Sequence, residues 1–392
     1  MTAPPIDVAA DGGSAPAGIV RGVPLAQRTT LGVGGPARTF FEAHDLEGLR
    51  SALAWAERVG EPVELLGGGS NLVIADEGYP GLVVAIALRG LTFDSDGDGV
   101  RVTAAAGEPW DALVARTLAE GLTGLECLSG IPGSVGATPV QNVGAYGHEV
   151  AELITRVRVL DRRDGSIREL GPRDCGFGYR DSWLKREGRG RAVVLDVTYR
   201  LVRGAAPSVL YAELRRRLDA RGLPHPSAAD VREVVLEVRR EKSMLVDPSD
   251  PNARSCGSFF VNPVVTRAEA TQLAARLPAS ASPMPQYPQA DGRVKLAAAW
   301  LIEAAGFARG TREGSVGLSE HHALAIVAHP GARAADVVRF ARRVRDVVAE
   351  RFGVRLEPEP IHWGFARLDG GLPEAAATEV RSPGDGTRST PS

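Results

Sequence analysis

The chain has 392 residues, 44% hydrophobic and 24% charged, with a formal net charge of −2. That length exceeds one ordinary core and that balance belongs to folded chains in water, so two or three domains are expected, and the absence of a basic tract excludes a nucleic-acid partner. Cys127, Cys175 and Cys256 are far apart and the seven histidines, His321–His322 included, show no ligand spacing, which argues against a disulfide framework or a metal site.

Residues 1–18 are rich in Ala, Pro, Gly and Ser, without a basic start or an apolar block, and read as a disordered tail rather than a signal peptide. Leu82–Leu88 is the longest clear apolar run, too short to span a membrane, so a cytoplasmic protein with no membrane partner is expected. Ala37–Glu42 reads as a strand, and Asp45–Val59 as a helix with Leu46, Leu49, Leu53 and Ala56 on one face. Strands follow at Pro62–Leu66, Leu72–Ile74 and Leu82–Leu88. Between the first two lies Gly67-Gly68-Gly69-Ser70-Asn71, which fits neither the dinucleotide fingerprint nor a phosphate loop with Lys-Ser/Thr. Consecutive glycines can still offer several backbone N–H groups to a pyrophosphate.

Val100–Ala105 reads as a strand and Trp110–Glu120 as a helix stopped by Gly121. The stretch Gly130–Glu149, GIPGSVGATPVQNVGAYGHE, has no helical or strand period. Its glycines at 130, 133, 136, 144 and 147 permit positive φ and close approach of a ligand to the main chain. Ile131, Val135, Val140, Val143 and Tyr146 would pin it to a core. Ile154–Asp161 and Ile167–Leu170 form a hairpin about Asp164-Gly165, and Ala192–Val202 is a strand. Between them, Arg180 beside Asp181 is either a plain ion pair or an arginine ready for a carboxylate. Tyr211–Arg221, Ala229–Lys242, Arg267–Arg276, Leu296–Ala305 and Ala334–Phe352 read as helices, Tyr287–Lys295 as a loop and Arg355–Trp363 as a last strand. Ser258, next to Gly257 and before two phenylalanines, could merely open a strand. No serine sits in a G-x-S-x-G elbow, so a hydrolase is not indicated. From Gly370 the chain again has a tail composition.

Seven motifs now stand in one order: RTTLGVGGPA (28–37), LGGGSNLV (66–73), 130–149, GYRDS (178–182), GSFFVNP (257–263), YPQADGRVK (287–295) and LEPE (356–359). Together they closely resemble the UDP-N-acetylenolpyruvoylglucosamine reductase family, flavoenzymes of peptidoglycan precursor synthesis, over residues 17–368. The resemblance implies an α+β protein with a vanillyl-alcohol-oxidase-type FAD-binding fold and a third α+β domain for substrate. Residues 19–90, joined by 355–368, would form the first FAD-binding subdomain, 91–225 the second and 226–354 the substrate domain, with 1–18 and 369–392 as tails. It implies FAD as cofactor, NADPH as reductant and UDP-N-acetyl-enolpyruvoylglucosamine as substrate, in a cytoplasmic monomer serving cell-wall biogenesis, cell shape and cell division.

By the same resemblance, FAD would be held by Gly67, Gly68, Gly69, Ser70 and Asn71, and by Gly130, Ile131, Pro132, Gly133, Ser134, Gly136, Gln141, Asn142, Gly144, Ala145 and Tyr146. Arg180 and Glu359 would stabilise an enolate, and Ser258 would deliver the proton. Tyr211, matching the longer form of the family, would fold over the substrate. Lys242, Asn262, Tyr287 and Lys295 would meet its diphosphate and uridine. Arg309 would carry a charge that relatives place on a lysine, and His322 stands where some have glutamine. Two other readings are weighed against this one. Another flavin oxidase or dehydrogenase of the same fold would not need GSFF and LEPE together, and a silent nucleotide-sugar binding protein would not need Arg180, Ser258 and Glu359 in one chain.

Overall fold

The structure is a computed structural model and describes residues 15–277, 283–366, 368–369 and 372–373. The chain opens with β1 (Val20–Pro24), β2 (Pro36–Ala43), α1 (Leu46–Arg58), β3 (Val63–Leu66), β4 (Leu72–Ile74) and β5 (Tyr79–Ile86). The sheet runs β1-β2-β5-β3, parallel except for the antiparallel edge strand β1, which has no clear signal in the sequence. Asp45 caps α1 by accepting the Gly48 N–H at 2.7 Å. Leu49, Ala52, Leu53 and Ala56 then face the sheet, because residues three and four apart share one side of a helix.

A second sheet comes next. It uses β6 (Leu91–Asp96), β7 (Gly99–Ala105), α2 (Trp110–Ala119), β8 (Leu122–Thr123), the short pair β9 (Gly144–Ala145) and β10 (His148–Glu149), β11 (Ile154–Asp161), β12 (Ile167–Leu170), α3 (Pro172–Cys175) and β13 (Ala192–Arg203). Its order is β12-β11-β13-β7-β6, antiparallel throughout, with β8 on the end of β13. The β11–β12 hairpin turns at the expected place, where Gly165 takes φ +68° and Asp164 accepts the Ser166 N–H at 2.9 Å.

The remainder holds α4 (Ala212–Ala220), α5 (Ala228–Glu241), β14 (Val264–Val265), α6 (Arg267–Arg276), β15 (Gln286–Pro288), β16 (Val294–Leu296), α7 (Ala298–Ala304), β17 (Arg312–Glu313), β18 (Val316–Leu318), β19 (Ile326–Ala328), α8 (Ala334–Phe352), β20 (Ile361–Trp363), β21 (Leu368–Asp369) and β22 (Leu372–Pro373). Three expectations change here. Tyr287–Lys295 is not a loop but most of the β15–β16 hairpin, in which Tyr287 lies opposite Lys295. The expected strand over Arg355–Trp363 shortens to β20. Ahead of it the chain makes a single bridge, Phe260 to Pro358, because Pro358 and Pro360 cannot donate to a ladder. The expected tail from residue 369 contains β22, whose Leu372 is fully buried. The tails expected over 1–14 and 374–392 lie outside the described residues. Among those residues no helix is long and apolar enough to cross a membrane.

The largest core gathers α7, α8, β18 and β19 with Phe259 and Phe260, and takes in Leu31, Val33 and Val73 from the start of the chain. Late and early segments therefore share apolar contacts. β20 adds to this by pairing in parallel with β4.

Candidate active site

Two glycine-rich loops face each other at the end of the first sheet. A Cβ on Gly68 would stand 2.5 Å from the Gly133 Cα, and one on Gly69 would meet the Arg28 carbonyl oxygen at 1.9 Å. Both positions are therefore closed to any side chain for steric reasons, before any ligand is considered. Ser70 Oγ ties the loops by donating to the Pro132 carbonyl at 3.1 Å. Between and beside them lies a cavity of about 320 Å³, within the range of cofactor sites.

Gly67 to Asn71, Ile131, Pro132, Gly133, Ser134, Gly136, Gln141, Gly144 and Ala145 line that cavity, together with Arg180, Ser258 and Glu359. Three of the expected cofactor residues do not reach it. Gly130 is a left-handed turn at φ +71°, its N–H held by Asp111 at 2.6 Å. Asn142 is buried and clamps the loop, donating to Glu149 at 2.6 Å and to the Gly178 carbonyl at 3.0 Å. Tyr146 lies near Arg239, and its ring lies edge-on to Tyr211 at 5.4 Å.

The chain ends of the site meet through backbone. Phe259 N–H donates to the Leu324 carbonyl at 2.7 Å, and the Phe259 carbonyl accepts from Glu359 N–H at 2.9 Å. Two residues on, Ile361 N–H donates to the Asn71 carbonyl at 3.0 Å. The segment bearing Glu359 is thus threaded between Ser258–Val261 and β4, which carries Glu359 to the glycine loops. Its carboxyl lies 3.3 Å from Arg180 Nε, and Gln141 Nε2 approaches the same oxygen at 3.5 Å. Asn71 holds Gln141 at 2.7 Å and the Glu359 carbonyl at 3.2 Å. Burial pushes the Glu359 carboxyl above its usual range, and Arg180 and Lys185 only partly offset this. Glu359 is therefore biased towards its neutral, proton-bearing form.

The expected substrate residues lie around this cavity rather than in its wall. Lys242 pairs with Glu213 at 2.9 Å and faces the Tyr211 ring at 6.0 Å. Arg309 pairs with Glu303 at 3.0 Å. Lys242, Arg309 and Arg239 all act on His322, whose pKa falls to about 4, first through burial and then through these cations. His322 is thus held neutral near three cations, two of which, Lys242 and Arg309, are paired with carboxylates. Lys295 stacks on the Tyr179 ring at 4.4 Å, and burial lowers its pKa. Asn262 accepts the Ala298 N–H at 2.9 Å and lines a second, larger cavity of about 780 Å³ on another side of Arg180.

Arg239 is a site residue that the sequence motifs do not include. It lies in the cavity wall, buried, donating to the Met244 carbonyl at 2.7 Å, and its Nε has no partner among the described residues. A signal existed: it follows Val235 by one helical turn on the stripe Val231, Val235, Val238, where a solvated arginine is not expected. A glycine cradle and an unsatisfied buried cation on one wall fit a phosphate-bearing cofactor.

Residues 37–171 match the family described as FAD binding domain, and residues 248–363 the UDP-N-acetylenolpyruvoylglucosamine reductase, C-terminal domain. The UDP-N-acetylenolpyruvoylglucosamine reductase of Saccharopolyspora erythraea is 52% identical over 89% of this chain and 96% of its own length. That of Thermobifida fusca is 46% identical over 88% of this chain and 98% of its own. The crystal structure of UDP-N-acetylenolpyruvylglucosamine reductase from Thermus caldophilus superposes with a TM-score of 0.59 at 28% identity, covering 87% of this chain and 97% of that one.

Proposed function

The chain belongs to the UDP-N-acetylenolpyruvoylglucosamine reductase family, and on that premise we propose that Arg180, Glu359 and Ser258 are the residues that carry its reaction. The enzyme is an FAD-dependent oxidoreductase of peptidoglycan precursor synthesis, with a vanillyl-alcohol-oxidase-type FAD-binding fold and a further α+β domain. With NADPH it reduces the enolpyruvyl ether of UDP-N-acetylglucosamine to UDP-N-acetylmuramate. Its FAD supplies hydride transfer between the two reactants, and the facing glycine loops and Arg239 are the groups we assign to hold it. We place the enzyme in the cytoplasm. We read it as the longer form, with Tyr211 as the ring that covers the substrate.

The observation that carries the site assignment is the Arg180–Glu359 pair at 3.3 Å, on one cavity wall with Ser258. Hydride addition to the vinyl CH₂ carbon leaves an enolate on the carboxylate. Arg180 is already fixed by donating to the Gly144 carbonyl at 2.7 Å, so it can meet that charge without reorganising. Glu359, biased towards the neutral form, can donate a hydrogen bond to the same group, which an ionised carboxylate could not. Ser258 then gives the carbon next to the carboxylate its proton. A serine hydroxyl is a weak acid, and the developing enolate supplies the basicity that draws its proton. We assign Lys242, Arg309 and the neutral His322 to the diphosphate, and Asn262, Tyr287 and Lys295 to the rest of the UDP-sugar.

Anaerobic stopped-flow on the flavin band tests the assignment. In Ser258→Ala, bleaching by NADPH should keep its wild-type rate, while recovery with the enolpyruvyl substrate should slow by roughly a hundred- to ten-thousandfold. Ser258→Cys should recover part of it. Recovery within a few-fold of wild type in the alanine variant would remove Ser258 from the role of acid.

A further inference from the structure

Arg180 has φ +54°, a left-handed conformation that arginine rarely adopts. The turn around it is closed by two backbone bonds, Gly178 N–H to the Asp181 carbonyl at 2.9 Å and Asp181 N–H to the Gly178 carbonyl at 3.2 Å. The Arg180 carbonyl between them takes no part in that bridge. Lys185 Nζ donates to it at 2.8 Å. At the other end of the same residue, the guanidinium meets the Gly144 carbonyl at 2.7 Å and Glu359 at 3.3 Å. Arg180 is thus fixed at both ends; at the backbone end Asn142 holds the turn through the Gly178 carbonyl at 3.0 Å, and Lys185 is the side chain that, among the described residues, bonds the Arg180 carbonyl itself.

Lys185 is itself anchored. Its N–H donates to Ser182 Oγ at 3.3 Å, and the fully buried Ser182 donates to the Val140 carbonyl in the glycine loop at 2.5 Å. Among the described residues no carboxylate lies within ion-pair distance of its ammonium. Among those residues the acceptor of its ammonium is the Arg180 carbonyl oxygen. The side chain lines the larger cavity and lies off the wall of the flavin cavity.

We propose that Lys185 is a positioning residue of the reduction, acting through Arg180: its ammonium secures the left-handed Arg180 turn and so keeps the guanidinium aimed at Glu359. The proposal rests on the reading that Arg180 and Glu359 carry the chemistry. The charge of Lys185 has a second effect. The groups that face Glu359 are Arg180, Lys185, Tyr179 and Cys256, with the neutral amides of Gln141 and Asn71. Of these only Arg180 and Lys185 are cations, and both favour the ionised carboxylate against the burial that opposes it. Without Lys185, Glu359 keeps its proton to higher pH. Loss of the lysine therefore lowers the rate through Arg180, and shifts the alkaline limb of the pH profile upward through Glu359.

The test uses the FAD-loaded Lys185→Met, Lys185→Arg and Arg180→Met variants in anaerobic stopped-flow, with flavin content measured beside them. For Lys185→Met, flavin content and NADPH-driven bleaching should stay within twofold of wild type. Recovery with the enolpyruvyl substrate should slow by about ten- to a hundredfold, as expected for a catalytic group displaced by an ångström. Its alkaline limb should move to higher pH. Lys185→Arg, which keeps the charge and can still reach a carbonyl, should restore most of the rate and return the limb. Recovery within twofold of wild type and an unmoved pH profile in Lys185→Met overturn the proposal. So does equal slowing of both steps with loss of flavin, which would make Lys185 merely structural. If Arg180→Met also leaves recovery at the wild-type rate, the reading of the catalytic residues is the part that fails.

Discussion

A buried guanidinium without a full set of acceptors is costly, and Arg239 is such a group. Its Nε has no partner among the described residues, burial pushes its pKa below the ordinary arginine value, and it lies in the cavity wall with Met244. An anionic oxygen of the cofactor would satisfy it. Arg239→Met, similar in length but without charge, should weaken FAD binding by about tenfold or more, the scale of a lost charge-assisted hydrogen bond. Flavin-fluorescence titration of the stripped protein measures this, and unchanged affinity would show that Arg239 serves the substrate or the fold instead. Arg239 also marks how legible single residues are. Arg180, Ser258 and Glu359 stand in motifs and are found on one cavity wall. Gly67–Asn71 is visible because a run of glycines has few other uses. Arg239 and Lys185 are not, because an arginine in a helix and a lysine after a turn usually face water. Only the structure shows that Arg239 is buried and that the Lys185 ammonium is turned onto the Arg180 carbonyl.

Helices and long strands follow their periodicity closely. The short edge strands do not, because short strands take their conformation from neighbours rather than from their own pattern. β15–β16 pairs Tyr287 with Lys295 although YPQADGRVK reads as a turn, and the two-residue β14 exists only as an edge to β16. One such neighbour effect is testable at the start of α8. Arg333 precedes the helix and offers no side-chain acceptor to its first N–H groups. Asp76, in the loop after β4, supplies them from far along the chain. Its carboxylate accepts Ala334 N–H at 2.8 Å and Ala335 N–H at 3.1 Å, and lies 3.5 Å from Arg333 Nε. It is an N-cap delivered in space rather than in sequence. Asp76→Ala should cost about 1–2 kcal/mol, the usual loss for a cap. Chemical denaturation of the holoenzyme reads this as a lower midpoint with unchanged slope. An unchanged midpoint would mean that water replaces the carboxylate at no cost.

At the scale of the whole molecule, the site is assembled from segments that are remote in the chain, and sequence order alone could not show how they are locked. β20, late in the chain, pairs in parallel with β4 near its start. The segment after β20 has a tail composition because Gly, Pro, Ser and Thr dominate it, yet composition averages over the one residue that matters. Leu372 is fully buried against α8 and belongs to the core that also holds Phe259, Phe260, Leu31 and Val73. That core backs Ser258 on one side and the glycine-loop strand β4 on the other. Removing the side chain leaves a cavity whose lining can only partly collapse. Leu372→Ala should therefore destabilise the protein by about 2–4 kcal/mol, within the range for buried leucines. Leu372 does not line the proposed flavin cavity, so bound flavin and both half-reactions at room temperature should keep their wild-type values. Ending the chain at residue 368 removes Leu372 with its strand, and should lower the unfolding midpoint at least as far as the point variant. Urea unfolding followed by tryptophan emission, with flavin absorbance recorded on the same samples, separates stability from activity. A truncated chain as stable as the full one would mean that Leu372 contributes nothing to this core, and that composition is the better guide.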